Sequence, residues 1–331
     1  MFPERVYYEP EALGYELGRR LREKFADVPW VPIRSHNHIE ELRARPNADF
    51  PALKRLLIVG VRKSLRYVPN TKSSDFLVPY TSSGCGASCL YCYLVCHYNK
   101  CAYLRLFVNR EAMLDKLIRT SRRSEREQTF EIGSNSDLVL ENTITGNLVW
   151  TIERFAREGR GRLTFPTKFG MVEPLLTLDH RGKTLFRMSV NPREIIARAE
   201  IGTSPLDVRI NALNRMCAAG YPVGLLIAPV ILLDGWREAY RGLLDTLASR
   251  LSEQVRRSMK MEVIFMTYSY VHRAINAEAY PDAVNLYDAK RMTGRGMGRY
   301  RYRDDARTEA EAFLRGEIKA RFGESSILYI V

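Results

Sequence analysis

The sequence predicts an α/β fold of six parallel βα units, a partial (β/α)6 barrel of the TIM type. Short apolar runs alternate with amphipathic stretches from residue 76 to residue 268. Strands alternating with helices argue for parallel βα units. Six units do not close the usual eight-stranded barrel. No Gly-rich dinucleotide fingerprint follows the first of these strands, which weighs against a doubly wound nucleotide-binding sheet.

The elements follow in chain order. Leu13, Leu17, Leu21 and Phe25 recur at i, i+4 spacing and predict an amphipathic helix over 9–25. Residues 29–54 are Pro-interrupted and irregular. LLIVGVR (56–62) reads as a buried strand, and YVPNTKSSD as a turn-rich loop. Strands are then expected over 76–80, 128–134, 162–168, 183–190, 222–229 and 261–268. Between them fall helical patterns in REAMLDKLIRT, TITGNLVWTIERFARE, MVEPLLTL, PREIIARA and SPLDVRINALNRMCAAG, and from Trp236 to about Glu253. The expected organisation is an N-terminal helical extension (1–75), the partial barrel (76–270) and a C-terminal segment (271–331), packed as one unit.

Composition narrows the class. A hydrophobic fraction of 46% over 331 residues excludes wholesale disorder and leaves ample chain for a core. No run of ~18 apolar residues exists, so no transmembrane helix and no membrane partner are expected. The first twenty residues lack the basic and apolar regions of a secretory signal, so the expected compartment is the cytoplasm, where thiols stay reduced. Lys and Arg number 51 against 38 Asp and Glu, a formal net charge of +13. That excess suits a polyanionic partner, with nucleic acid as the default.

Five of the six cysteines lie in SSGCGASCLYCYLVCHYNKC. Clustering in a reduced compartment points to metal or catalysis rather than to disulfides. The spacing is Cys85-x3-Cys89-x2-Cys92, with Cys96 and Cys101 following and Cys217 apart in a helical pattern as a small hydrophobe. Three readings compete. Structural zinc wants four ligands, commonly as two C-x2-C knuckles, and no second knuckle exists. A ferredoxin-type cluster also wants four thiolates at a different spacing. Three thiolates on a four-iron cubane leave one iron open, and an open coordination position marks catalysis.

Sites in parallel βα folds sit at the carboxyl ends of the strands. Those ends carry Ser134, Asn135, Ser136 and Asp137, then Thr167 and Lys168, then Ser189 and Asn191. A polar strand tip can also be a helix cap, but several tips on the cysteine-loop side point to a shared site.

The C-x3-C-x2-C triad with Tyr91 before its last cysteine resembles the radical S-adenosylmethionine (SAM) superfamily. Further stretches, in order over nearly the whole chain, resemble the spore photoproduct lyase family. They are VYYEPEALGYELG, LIVGVRKSLRY, GCGASCLYCYL, FEIGSNSDLV, GRLTFPTKF, KTLFRMSVNPREII, GYPVGLLIAPVILLDGWREAY and GMGRYRYRDD. The resemblance implies a partial barrel of the radical SAM type, a [4Fe–4S] cluster and SAM. The implied reaction is DNA repair, in which a 5′-deoxyadenosyl radical starts the splitting of 5-thyminyl-5,6-dihydrothymine into two thymines. It further implies ultraviolet-damaged double-stranded DNA as partner, an electron donor such as flavodoxin or ferredoxin, and the spore core as location.

By position, the resemblance makes Cys85, Cys89 and Cys92 the cluster ligands. Tyr91 and Tyr93 lie between SAM and lesion, and Ser136, Asp137, Lys168 and Ser189, with Asn191, hold SAM. The family's hydrogen-donor cysteine falls at Ser134, whose O–H is too strong to give its hydrogen to an allylic carbon radical. Either repair stops short or another thiol donates. Cys96 is the first candidate and Cys101 the second. KRMTGRGMGRYRYRDD resembles the family's DNA-wedging β-hairpin, with Arg295, Arg299, Tyr300 and Arg301 as candidates: Arg for phosphates, aromatics for stacking, Gly for the turn. Two alternatives stay open: another radical SAM enzyme acting on nucleic acid or a small molecule, and a non-enzymatic, zinc-containing DNA-binding protein.

Overall fold

The structure is a computed structural model that describes residues 3–331. The chain forms two compact units that interleave along the sequence. The first comprises residues up to Gly86, His97–Phe165 and Glu173–Leu185; the second comprises Ala87–Cys96, Pro166–Val172 and Phe186–Val331.

In the first unit the predicted N-terminal helix divides into a 3-10 turn (Pro10–Gly14) and an α-helix (Glu16–Lys24). It does not stand alone. Strands Arg5–Tyr8, Trp30–Pro32, Leu56–Gly60 and Leu104–Phe107 pair in parallel, with Ser82–Ser83 antiparallel at one edge. Side chains alternate across this sheet. Val6, Leu57, Val59, Leu104 and Leu106 face Leu17, Leu21 and Phe25, while Tyr7, Leu56 and Ile58 pack with Leu42, Leu53 and Tyr103 on the other face. Burial on both faces leaves Leu56–Gly60 an unbroken apolar run without a period-2 signal. The same unit holds a second run, Val68–Pro69, Phe76–Leu77, Thr129–Glu131 and Arg162–Thr167, paired in that order. The helix expected over 143–158 is two helices, Leu138–Thr145 and Asn147–Glu158, separated at Gly146.

The second unit carries the parallel order Thr184–Val190, Val223–Val230, Lys260–Phe265 and Ile327–Ile330. Helices Arg193–Ala199, Leu206–Ala218 and Trp236–Arg250 connect the first three strands. The last of these ends at Leu251 because Ser252 caps a separate helix, its Oγ accepting from the Val255 amide at 3.3 Å. The unit also contains a three-stranded antiparallel sheet of Tyr268–Ser269, Arg299–Tyr302 and Met292–Gly294. Among the described residues no helix is long and apolar enough to cross a membrane.

Candidate functional site

The cysteine loop begins in the first unit. Gly84 has φ +76°, and a Cβ there would lie 1.8 Å from the Tyr103 carbonyl oxygen, so only glycine fits before Cys85. The Cys85 amide donates to the Ala102 carbonyl at 3.3 Å. Lys54 Nζ donates to the carbonyls of Cys85 and Ala102 at 3.0 and 2.6 Å.

The loop continues in the second unit, where Ser88–Cys89 pairs antiparallel with Glu200–Ile201. Two side chains of helix Tyr270–Ala279, one turn apart, hold its backbone. His272 Nε2 donates to the Cys92 carbonyl at 2.9 Å, and Asn276 Nδ2 to the Leu90 carbonyl at 2.8 Å. None of the six cysteines is in a disulfide. Among the described residues no three His, Cys, Asp or Glu side chains converge as a single metal ion requires. A cubane makes no such demand, because each thiolate ligates its own iron.

At the strand ends of the second unit, residues the sequence named separately meet on one carboxylate. Glu200, fully buried, accepts from Lys168 Nζ at 3.0 Å, Asn191 Nδ2 at 2.8 Å, Arg209 Nη2 at 2.5 Å and the Tyr91 hydroxyl. Lys168 Nζ also donates to Ser189 Oγ at 2.9 Å and to the Ala228 carbonyl at 2.8 Å, and lies 5.5 Å from the Tyr91 ring centroid. Burial pushes the Glu200 pKa up, but Lys168 and Arg209 outweigh it and hold the carboxylate at about 2. Burial, reinforced by the Glu200 charge, raises the Tyr91 hydroxyl well above its ordinary value. Two cations face one carboxylate, which leaves one surplus positive charge at this end of the strands. Neither Glu200 nor Arg209 was named from the sequence; each reads there as an ordinary charged residue near a helix.

In the first unit Ser136 and Asp137 behave differently. Asp137 Oδ1 accepts from the amides of Val139 and Leu140 at 3.1 and 3.2 Å, capping Leu138–Thr145. Ser136 Oγ is buried and has no hydrogen-bond partner. An orphaned buried hydroxyl costs free energy unless a ligand or water satisfies it. Ser134 is half-buried in the turn before them.

The remaining thiols separate by environment. Cys96 is exposed, and its Sγ lies 3.7 Å from Ser269 Oγ, which in turn bonds His272 Nδ1 at 2.7 Å. The Cys92 carbonyl can only accept, so the His272 proton sits on Nε2. Nδ1 then accepts from Ser269, whose oxygen is left to accept from Cys96. Cys101, the second candidate donor, is instead a core residue packed with Tyr103 and Ile58. Cys217 is buried in Leu206–Ala218. The two candidate tyrosines also diverge: Tyr91 is buried on Glu200, whereas Tyr93 is 49% exposed.

The C-terminal hairpin joins Met292–Gly294 to Arg299–Tyr302, with Thr293 opposite Arg301 and Gly294 opposite Tyr300. Its tip is Gly296, Met297 and Gly298, all at positive φ. A Cβ on Gly298 would strike the Tyr270 ring at 2.1 Å. Arg295 and Arg299 are exposed, whereas Arg301 lies 3.5 Å from Asp304 and the Tyr300 ring packs at a tilt against Tyr287, centroids 4.6 Å apart. Met297, at 87% exposure, is an apolar tip that the sequence reading passed over.

Comparison with known proteins identifies the family. The family model "Spore photoproduct lyase" matches residues 1–331. A spore photoproduct lyase of Bacillus subtilis (strain 168) is 35% identical over 336 residues, covering 99% of this chain and 98% of that protein. One from Geobacillus sp. (strain Y412MC61) is 34% identical over 338 residues, with the same coverage. A double-mutant spore photoproduct lyase solved with bound AdoMet and dinucleoside spore photoproduct overlaps at a TM-score of 0.91 and 31% identity, covering 100% of this chain and 99% of that one. A further structure, complexed with dinucleoside spore photoproduct, gives 0.89 and 32%, covering 99% of each chain. The fold class is therefore the α/β partial barrel of the radical SAM type that the strand–helix rhythm predicts. On a family model spanning the whole chain and relatives above 30% identity along its length, the chain belongs to the spore photoproduct lyase family.

Proposed function

We propose that this protein is a DNA repair lyase that uses a [4Fe–4S] cluster and SAM to return the spore photoproduct to two thymines. The observation that carries this is the family match over the full chain, together with Cys85, Cys89 and Cys92 in the C-x3-C-x2-C spacing, none of them in a disulfide. When bound, the cluster and SAM supply a 5′-deoxyadenosyl radical that takes a hydrogen atom from C6 of the dihydrothymine half, after which the methylene bridge breaks.

The chain's own residues hold and aim. Cys85, Cys89 and Cys92 would ligate three irons. The surplus positive charge around Lys168 and Arg209 suits the SAM carboxylate. Ser189 ties Lys168, and Asn191 ties the Glu200 carboxylate between the two cations, to strand ends, and the unpartnered Ser136 hydroxyl offers a further ligand bond. Asp137, engaged in capping, acts by holding Ser136 in place. Tyr93 is the tyrosine open to a substrate, while Tyr91 orients Glu200.

Cys96 is the hydrogen donor that Ser134 cannot be. Its S–H bond breaks homolytically, the hydrogen atom forms the methyl C–H of the second thymine, and the unpaired electron stays on sulfur for the tyrosine relay to return. The substrate is ultraviolet-damaged double-stranded DNA, met by the hairpin. Arg295 and Arg299 contact phosphates, and Met297 wedges at the base step, as apolar tips of minor-groove binders do. A lesion that stacks poorly is extruded at lower cost than an intact step. The reductant is a flavodoxin or ferredoxin, and the spore core is the place of work.

Protein isolated without oxygen should carry roughly four irons per chain. With reductant, SAM and the synthetic dinucleoside lesion it should release thymidine, both glycosidic bonds staying intact. Bound zinc without iron, or no turnover of the lesion by iron-loaded enzyme, would overturn the reading. Cys96→Ala should still cleave SAM but give adducts in place of the second thymine; clean repair by it would remove Cys96 from the mechanism. At the hairpin, Arg299→Ala should lower the salt slope of duplex binding by about one phosphate contact.

A further inference from the structure

The clamp on the cysteine loop does more than hold backbone. Ser269 stands where three elements meet within the second unit. Its hydroxyl receives the Cys96 thiol at 3.7 Å and bonds His272 Nδ1 at 2.7 Å, and His272 Nε2 reaches the Cys92 carbonyl at 2.9 Å. Its backbone sits in the sheet opposite Arg299, and the next amide, of Tyr270, donates to the Gly298 carbonyl at 2.9 Å. The residue is 3% exposed, so no solvent competes for its hydroxyl.

We propose that Ser269 is a positioning residue for hydrogen transfer, setting the Cys96 thiol in fixed register with the hairpin tip. This rests on the reading of Cys96 as the donor. Hydrogen transfer to a carbon radical falls off steeply when the donor is misplaced by an ångström. An exposed cysteine on a short helix has several rotamers of similar energy. The Ser269 hydroxyl selects one of them. The bond is a weak thiol donor on a neutral oxygen, so the hydrogen is released without a large penalty when the radical forms. Because Ser269 pairs with Arg299, a duplex seated on the hairpin meets the thiol in the same register each time.

The test uses iron-loaded full-length protein, reductant, SAM and the dinucleoside lesion in deuterated water, where the exchangeable thiol carries deuterium. Ser269→Ala should leave iron content and lesion-free SAM cleavage within about twofold of the parent. The yield of second thymine carrying deuterium in its methyl group should fall about tenfold, with adducts rising to match, since misplacement of a reacting group by an ångström costs on that order or more. Because Ser269 Oγ also accepts from the His272 amide at 3.4 Å, alanine removes a helix cap as well. Ser269→Thr and Ser269→Val share a shape and differ in the hydroxyl, so they isolate it even if alanine perturbs folding. Threonine should retain labelled thymine and valine should lose it. Equal labelled yield from that pair overturns the proposal. If Cys96→Ala itself repairs cleanly, the donor assignment fails; if Cys96→Ala gives adducts while Ser269→Val does not, only the positioning role fails.

Discussion

Among the glutamates each unit buries, Glu141 in the first and Glu200 in the second centre polar networks tuned in opposite directions. Glu200, in the second unit, meets Lys168, Arg209, Asn191 and Tyr91. Glu141, in the first, accepts only from neutral groups: Ser82 at 2.6 Å, Asn147 at 2.8 Å, Thr81 at 2.9 Å and Thr145 at 3.3 Å. Burial raises both. Hydrogen bonds alone do not reverse that rise at Glu141, whose pKa stays above the ordinary value, whereas two cations drive Glu200 to about 2. The same residue at the same depth has its pKa held down in one place and left above the ordinary value in the other. Company decides, not burial. The Glu200 hub lies among the residues proposed to hold SAM; the Glu141 hub ties a helix pair to a strand edge.

The largest expected effect breaks the charged hub. Glu200→Gln leaves Lys168 and Arg209 facing each other without an anion, and orphaning a buried charge costs about 3–5 kcal/mol. Urea unfolding at neutral pH should show a loss of that size; a loss under ~1 kcal/mol would mean that water already screens the cluster. The pH trend follows from the sign of the shift. A carboxylate with a depressed folded pKa stabilises above its unfolded value, near 4.5, and that contribution fades as pH falls toward about 2. The gap between parent and Glu200→Gln should therefore widen as pH rises from about 2 to about 5.

What the sequence disclosed divides along the same line. The C-x3-C-x2-C cysteines proposed as ligands, the strand–helix rhythm and the strand-tip residues Lys168, Ser189 and Asn191 were legible, because each is a local pattern of type and spacing. Glu200, Arg209, Ser269 and His272 were not. They come from helices and short strands well apart in the chain, and no periodicity links a glutamate at 200 to a lysine at 168. Strands Arg5–Tyr8 and Trp30–Pro32 were missed for another reason: both are too short to show alternation. Cys101 marks the converse case. Proximity to the cysteine loop suggests chemistry, and the side chain packs in the first unit's apolar core.

The smallest effect is expected at Glu141, and its sign is what distinguishes the hubs. In Glu141→Gln the amide oxygen can keep Asn147 and Thr145, while the amide nitrogen turns to Ser82 and Thr81, whose hydroxyls can accept as readily as donate. The network closes again without a charge, so the loss should be about 1 kcal/mol. A carboxyl with a raised folded pKa stabilises below its unfolded value and loses that contribution as pH rises through the folded one. The gap between parent and Glu141→Gln should therefore shrink as pH rises, opposite to the Glu200→Gln trend. Paired urea series across the acid range measure both slopes in one experiment. Parallel slopes would mean that hydrogen bonds from neutral groups suffice to hold a buried carboxylate ionised, and that the cations at Glu200 are there for the ligand rather than for the glutamate.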